Sequence, residues 1–478
     1  MRRSAIMLVA LTSVGLTSEV FAQSQTVPID SNGNPPAGTV AQQLTPGYAR
    51  AAGSLFSPLN EPSAQAPTGP LSSVGNWLEN AGIDFRLPVT EQLMGNPSEG
   101  SRPGVIASGN WVNPTLTFDL HKILGIPDAK LRFQDEFRFL KLADGPNNAT
   151  GFQGASNSGF LGNQHRLTKE PNSLSEASYE QLLLDERLDL EVGRMNLKRY
   201  FFTANCDSIL LGSCQLNQLT NNANLGPPAF SEWAGRAAWN ITPDTYVQVG
   251  SQEVDPHGKS TRGFDLGVDQ ATGYVTLAEL AYKTSFAETA YPEFWEFGGY
   301  SMHAPHTDPI ATKHVIDTSS GIGLDGQKTV WRADGGASNN PAVQHANLYF
   351  QSMQGLDETS VYATQISVGG TFYGPIPSRP FDFIGAKVTY MTLTSHEQKF
   401  LASQRFAAGG PKSFPSTSYY LELNSHVQLA KGVVLEPVVQ YVIDPDTVYN
   451  PKVKQAKSGV VLALSVVVGL GELLGLSS

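Results

Sequence analysis

Asp189 and Glu191 stand two residues apart in LDLEVGRMN, alternating with Leu188, Leu190 and Val192. Arg236 follows in SEWAGRAAWN, and Tyr246 with Gln248 in DTYVQVG, where Val247 and Val249 take the alternate places. Carboxylate, guanidinium, amide and phenol groups can exchange hydrogen bonds with water and with polar solutes. Nothing around them has the form of a nucleophile elbow, a zinc-protease helix or a phosphate-cradling loop. Strict alternation is the period of a β-strand whose two faces meet unlike surroundings. With one face continuously apolar and the other charged, the pattern suits a strand with lipid outside and water inside.

The same alternation recurs near the C-terminus. In YYLELNSHVQL, Tyr419, Leu421, Leu423, Val427 and Leu429 share one face, and Tyr420, Glu422, Asn424, His426 and Gln428 the other. In VVLEPVVQYV, Val433, Leu435, Val439 and Tyr441 oppose Glu436 and Gln440. A dry core would make Glu422 and Glu436 costly to bury, and a water-filled lumen removes that cost. Two residues fit poorly. Pro437 forfeits a ladder hydrogen bond inside a strand. Asp135 falls on the apolar face of LRFQDEFRF, which a bulge near Gln134 would correct.

These strands need a chain of the right class. At 478 residues it has room for several soluble domains or one large barrel. Mean hydropathy of −0.18 excludes a helical membrane protein. With 46 Gly and 31 Pro the chain is equipped for many turns. A net charge of −11 gives no electrostatic case for nucleic acid as a partner.

Period-two windows fall near residues 82–91, 105–120, 129–141, 176–186, 187–199, 230–241, 244–254 and 274–284. Others fall near 292–303, 328–338, 343–354, 360–374, 381–395, 416–430, 432–443 and 458–470. Sixteen is an even number, and short joins (121–128, 242–244, 430–432) alternate with long ones (142–175, 200–229, 304–327). The expected fold is all-β, a transmembrane antiparallel barrel of sixteen strands in an outer membrane. A row of sandwich domains would not alternate its loop lengths in this way.

Before the barrel, Arg2 and Arg3 precede an apolar run from Ile6 to Leu16, and Val20-Phe21-Ala22 offers a cleavage site. Residues 1–22 therefore read as a secretory signal peptide, with a buried N-terminal helix as the alternative. Residues 23–72 are rich in Pro, Gly, Ser and Gln and nearly free of charge, which predicts a flexible periplasmic segment. Residues 73–478 then form the barrel domain, opening with a short helix over SVGNWLENAG.

With these pieces in view, the chain resembles the carbohydrate-selective porin (OprB) family from WLENAGI at Trp77 to the last strand. The resemblance rests on YEQ followed by LDLEVGRMN, the paired Cys206 and Cys214, the WAGRAAW…P…YVQVG…EVDP block and EFGGY at Glu296. TFYGPIPSRPFDFIGAKVTY and LEPVVQYVIDP complete it. It implies an outer-membrane barrel of a Gram-negative bacterium that lets sugars such as glucose diffuse through a narrowed lumen. The other readings are a general, weakly selective diffusion porin and, further off, an enzyme or adhesin borne on a barrel. The implied partners are small sugars as permeants, outer-membrane lipid and the barrel-assembly machinery. The chain is a homo-oligomer or a monomer, with no cofactor.

A sugar offers vicinal hydroxyls to charged groups and a weakly apolar ring face to an aromatic side chain. The resemblance implies a charged eyelet in the early strands. Candidates for it are Arg132, Glu136, Arg138, Glu180, Asp189, Glu191 and Arg236, with Trp233 and Tyr246 as stacking residues. Passage requires that their binding be weak.

Cys206 and Cys214 lie in one long loop of an exported chain, so a loop disulfide is expected, with unpaired thiols as the alternative. GIGLDG (Gly321, Gly323, Gly326) matches a dinucleotide fingerprint without a βαβ frame and reads as a glycine-rich loop. His303, His306 and His314 lack a matched acidic ligand and read as a solvated cluster, so no metal is expected. The last segment alternates to about Leu470 and runs on to Leu476-Ser477-Ser478, without the terminal aromatic residue that such barrels usually carry.

Overall fold

The structure, a computed structural model, describes residues 67–141, 151–156, 171–203, 216–226, 230–311 and 313–477. The signal peptide, most of the leader and both cysteines lie outside the described residues. All described residues belong to one compact unit, Ala37–Ser478.

Sixteen antiparallel strands close into a barrel. The first is interrupted at Leu87 into Ile83–Arg86 and Pro88–Gly95; the second is interrupted at Asn113-Pro114 into Ile106–Val112 and Thr115–Asp119. Strands three to eight are Ala129–Lys141, Asn172–Leu183, Leu188–Met195, Glu232–Thr242, Thr245–Val254 and Gly273–Lys283. Strands nine to twelve are Glu293–His303, Ser319–Arg332, His345–Gly355 and Tyr362–Tyr373. The last four are Phe383–Leu393, Thr417–Ala430, Val433–Ile443 and Gly459–Gly469. Each pairs with its neighbour in sequence, and the first pairs with the sixteenth from Pro88↔Gly469 to Gly95↔Leu462. Closure leaves no sheet edge open to lipid.

Burial runs inside out. Large apolar side chains at Val192, Val249, Phe297, Val368, Val388 and Leu423 are exposed, while Glu191, Arg236, Gln248, Glu279, Gln365 and Glu422 are buried on the opposite face. That inversion is what a wall between lipid and lumen requires. Trp295 lies on the outer face over Gly326, where a Cβ would collide with its ring. Its indole Nε1 donates to Glu293, which also pairs with Lys328 at 3.2 Å. Such an amphipathic ring beside a charge pair is the usual furniture of a membrane interface.

The lumen is not polar throughout. Its inner wall carries two apolar clusters that hold loops. One packs Phe152, Leu401 and Phe414 on Met94, Trp111, Tyr362, Tyr420 and Val438. The other packs Leu197, Phe201 and Phe202 on Val275, Leu277, Tyr300 and Met353.

Several expectations need correction. The first strand runs on to Gly95, the fourth begins at Asn172, and the fifth stops at Met195 before a 3-10 turn, Leu197–Arg199. The tenth begins at Ser319, so GIGLDG is strand and not loop. Its Gly321 and Gly323 are inward positions left small, and a Cβ there would meet Tyr300 and Met353. The join before it is correspondingly shorter than expected and holds a small hairpin, His306–Thr307 with Val315–Ile316. A register shift does occur at Gln134/Asp135, but the extra residue is Ser175 on the partner strand, so Asp135 stays on the outer face. Pro437 sits within the fifteenth strand, and pairing to the fourteenth lapses between Val438 and Leu435. At the start of the barrel a helix spans Ser72–Asn80, as expected; after Gly469 a short one, Leu470–Leu474, ends the strand pattern.

Candidate functional site

The loop that leaves the fifth strand turns into the lumen instead of away from it. Its first residues form the 3-10 turn Leu197–Arg199, capped by the Asn196 side chain, which accepts from Lys198 N. Leu197 N donates to Gln252 Oε1 at 2.8 Å, fixing the loop to the seventh strand. Gly250 leaves the space its apolar residues need: a Cβ there would stand 3.1 Å from Leu197 and Phe201. On the far side, Glu279 accepts from Phe202 N at 3.1 Å, and Glu296 accepts from both the amide and the hydroxyl of Thr203. Residues 196–203 are thus tied to wall carboxylates at their tip.

Facing this loop, strands three to six carry an alternating charge net. Arg132 Nη1 lies 3.0 Å from Glu176 and 3.7 Å from Glu191, and its Nη2 lies 3.5 Å from Glu180. Arg236 Nη2 reaches Asp189 at 2.6 Å and Glu191 at 3.4 Å. From the loop, Arg199 reaches Glu176 at 3.0 Å and Tyr200 donates its phenol proton to Glu191 at 3.0 Å. The Ser178 hydroxyl stands 2.9 Å from both Glu176 and Glu191 and can donate its one proton to either. The Arg236 guanidinium lies over the Tyr200 ring, 4.9 Å from its centre. Cross-strand register makes this possible: Glu180↔Glu191 and Glu191↔Arg236 are directly paired, so their side chains emerge side by side.

Like charges next to each other are tolerated because guanidinium groups stand between them. The members differ in access. The Arg132 side chain is 26% exposed and that of Arg236 only 2%. Arg132 is therefore the more accessible of the two guanidinium groups, and Arg236 is enclosed among the carboxylates. Asp189 Oδ1 and Arg236 Nε are buried with no hydrogen-bond partner among the described residues. Buried polar atoms of this kind seek water or a polar guest.

Of the residues singled out from sequence, Arg132, Glu180, Asp189, Glu191 and Arg236 come together in this net. Glu136 and Arg138 form a separate pair at 2.7 Å, tied to Asn113 and Ser173. Tyr246 faces the lumen at another place, its hydroxyl 3.4 Å from Glu279. Trp233 does not face the lumen. In a strand whose inward positions include Ala234, Arg236 and Ala238, it sits three residues from Arg236 and so on the other face. There its indole donates to Leu266 O at 3.1 Å, beside Arg194 and Glu253. The disulfide expected at Cys206 and Cys214 lies outside the described residues. Glu176, Arg199, Tyr200, Glu279 and Glu296 were not singled out. Glu176 lay at the edge of a predicted strand, and period two says nothing about loop residues such as Tyr200. The described residues hold no group of three or more His, Cys, Asp or Glu arranged for a metal ion.

Comparison with known proteins agrees with this architecture. The family model described as carbohydrate-selective porin, OprB family, matches residues 107–469. Porin B of Pseudomonas aeruginosa is 24% identical over 400 residues, spanning 78% of this chain and 86% of that protein. The high-pH structure of Pseudomonas putida OprB superposes with a TM-score of 0.67 at 21% identity, covering 82% of this chain and 95% of that one. The low-pH structure of the same protein gives 0.51 at 17% identity, with 85% and 99% covered. At these identities the solved structures speak for the fold.

Proposed function

Since the chain belongs to the OprB family of carbohydrate-selective porins, outer-membrane channels for sugars, we propose that its selective step is made at the charge net beneath the inward loop. The observation that carries this reading is the facing of residues 196–203, tied to Glu279 and Glu296, with the Arg132–Glu176–Glu191–Arg236–Asp189 net. A monosaccharide entering this gap exchanges its hydration for Arg132 donors and carboxylate acceptors. The gain is offset by the cost of displacing ordered water, so the sugar is held weakly and leaves. Since guanidinium and carboxylate groups are interleaved, the net has no strong preference for a charged solute over a neutral polyol. The solute passes unchanged, with no catalytic step and no cofactor. Small sugars are the permeants, lipid surrounds the outer wall, and the barrel-assembly machinery inserts the chain.

Liposomes carrying the purified protein test this reading by their swelling rates. Monosaccharides should enter faster than amino acids and organic acids of similar size. Equal rates for all small solutes would replace the sugar reading with that of a general diffusion pore.

A further inference from the structure

The helix at the start of the barrel, Ser72–Asn80, shows an apolar stripe that nothing among the described residues covers. Leu71, Val74 and Trp77 recur at helical spacing and are 39%, 43% and 64% exposed. The opposite side of the helix is spoken for. A Cβ on Gly75 would lie 2.1 Å from the Gly475 carbonyl oxygen, and Leu71 N donates to Leu474 O at 2.8 Å. At its other end Lys122 Nζ donates to Glu79 O at 3.0 Å. The helix is therefore fastened along the rim where the short turns lie, which is the periplasmic end of such a barrel.

Its neighbours on that rim are apolar and exposed too. Ile123, Leu124 and Ile126 in the turn after the second strand are exposed, and so is Leu473 beside the Leu474 anchor. The turn joins directly onto the lipid-facing wall, where Phe118 and Phe133 meet edge to face with ring centres 6.1 Å apart. A Cβ on Gly82 would come within 3.3 Å of Ile123, so helix, turn and wall are contiguous. Polar Ser73, Asn76 and Asn80 take the remaining side of the helix.

We propose that this helix lies in the plane of the membrane interface, with Leu71, Val74 and Trp77 seated among the phospholipids of the periplasmic leaflet. Tryptophan and leucine on one side, polar groups on the other and a lysine close by are the chemistry of an interfacial helix. Continuity with the lipid-facing wall is what selects a lipid surface over a protein partner. The helix then anchors the seam at which the first and sixteenth strands close.

The test uses the full protein in liposomes, with lipids brominated high on the acyl chain as one quencher and aqueous acrylamide as the other. Trp77→Phe gives the emission of Trp77 by difference. That emission should be blue-shifted, should lose most of its intensity to the brominated lipid and should resist acrylamide. Asn76→Trp in the Trp77→Phe background moves the indole to the polar side, where acrylamide should quench it and bromine should not. Quenching of Trp77 by acrylamide alone would overturn the proposal, since the stripe would then face water. Protection from both quenchers would also overturn it, since protein would then cover the stripe.

Discussion

Arg236 Nη2 stands 2.6 Å from Asp189 Oδ2 and 3.4 Å from Glu191 Oε2, one buried guanidinium shared by two carboxylates of the adjacent strand. Removing it would leave two buried negative charges facing each other with only Arg132 to compensate. Breaking one partner out of such a group costs about 3–5 kcal/mol. The barrel as a whole is held by its ladders, so the cost should fall on the charge net. Arg236→Gln is expected to raise cation conductance and cation selectivity, read from reversal potentials in a salt gradient. Unchanged selectivity would mean that the lumen carries its ions elsewhere.

Tyr200 links the inward loop to the net through its hydrogen bond to Glu191. Tyr200→Phe removes that bond and keeps the ring under Arg236. A loss of about 1 kcal/mol of local order follows, so about a fivefold rise in brief closures is expected in single-channel records. If the gating pattern stays the same, the loop is held by its remaining contacts, those to Gln252, Glu176, Glu279 and Glu296.

Three carboxyl groups from different loops set a pH dependence. Glu397, on the Ser395–Ala407 helix, is pushed up to about 7, first by burial and then by Asp446. Glu99 is raised well above its usual range, again by burial first and then by Asp446. A carboxyl whose pKa is raised in the folded protein favours the fold most below its ordinary pKa near 4.5. That favour is lost as pH climbs through the folded value. For Glu397 the difference between pH 4.5 and pH 8 is about 3 kcal/mol. Asp357 works in the opposite sense. Held low by bonds from Ser360, Ser319 and Thr359 against its own burial, it stabilises above pH 3.8 and loses that effect in stronger acid. Amide protection factors over residues 395–407, corrected for the intrinsic pH dependence of exchange, should therefore be larger at pH 5 than at pH 8, and Glu397→Gln should flatten the difference. Equal or smaller protection factors at pH 5 would contradict this.

The outer wall makes a simpler prediction. Val388 is exposed in the middle of the thirteenth strand, so hydrocarbon is its solvent. Val388→Arg should destabilise the folded barrel by about 2–4 kcal/mol, read from denaturant titration in lipid. Val388→Leu should leave the midpoint unchanged. Equal midpoints for the two variants would mean that this face meets water and not hydrocarbon.

How much of this was legible in the sequence follows from what period two can report. Sixteen strands could be counted because Leu421, Glu422, Leu423 and Asn424 alternate between lipid and lumen, and the fourteenth strand lies where they place it. The tenth strand began too late because Gly321 and Gly323 occupy its inward positions, where glycine carries no sign of face. Asp189, Glu191 and Arg236 could be grouped because charge inside a membrane strand has one permissible side. Trp233 shows a different limit: its ring suits a sugar, but its parity relative to Arg236 puts it on the other face. Tyr200 and Arg199 could not be found at all. Their position depends on residues 197–203 turning into the barrel, and the apolar contacts that draw them in, Leu197 and Phe201 against Gly250, join residues far apart in the chain.

If Arg132 and its carboxylate partners contact the sugar as proposed, sugar block of a single reconstituted channel reads that contact. The current through the unaltered channel should fall as a monosaccharide is added, and the half-blocking concentration should be measurable. Arg132→Ala removes the exposed guanidinium and with it a charge-assisted hydrogen bond of about 1.5–3 kcal/mol. The half-blocking concentration should then rise about tenfold or more, with the channel still open. Channels whose current ignores sugar, or an Arg132→Ala channel blocked as readily as the original, would contradict the account.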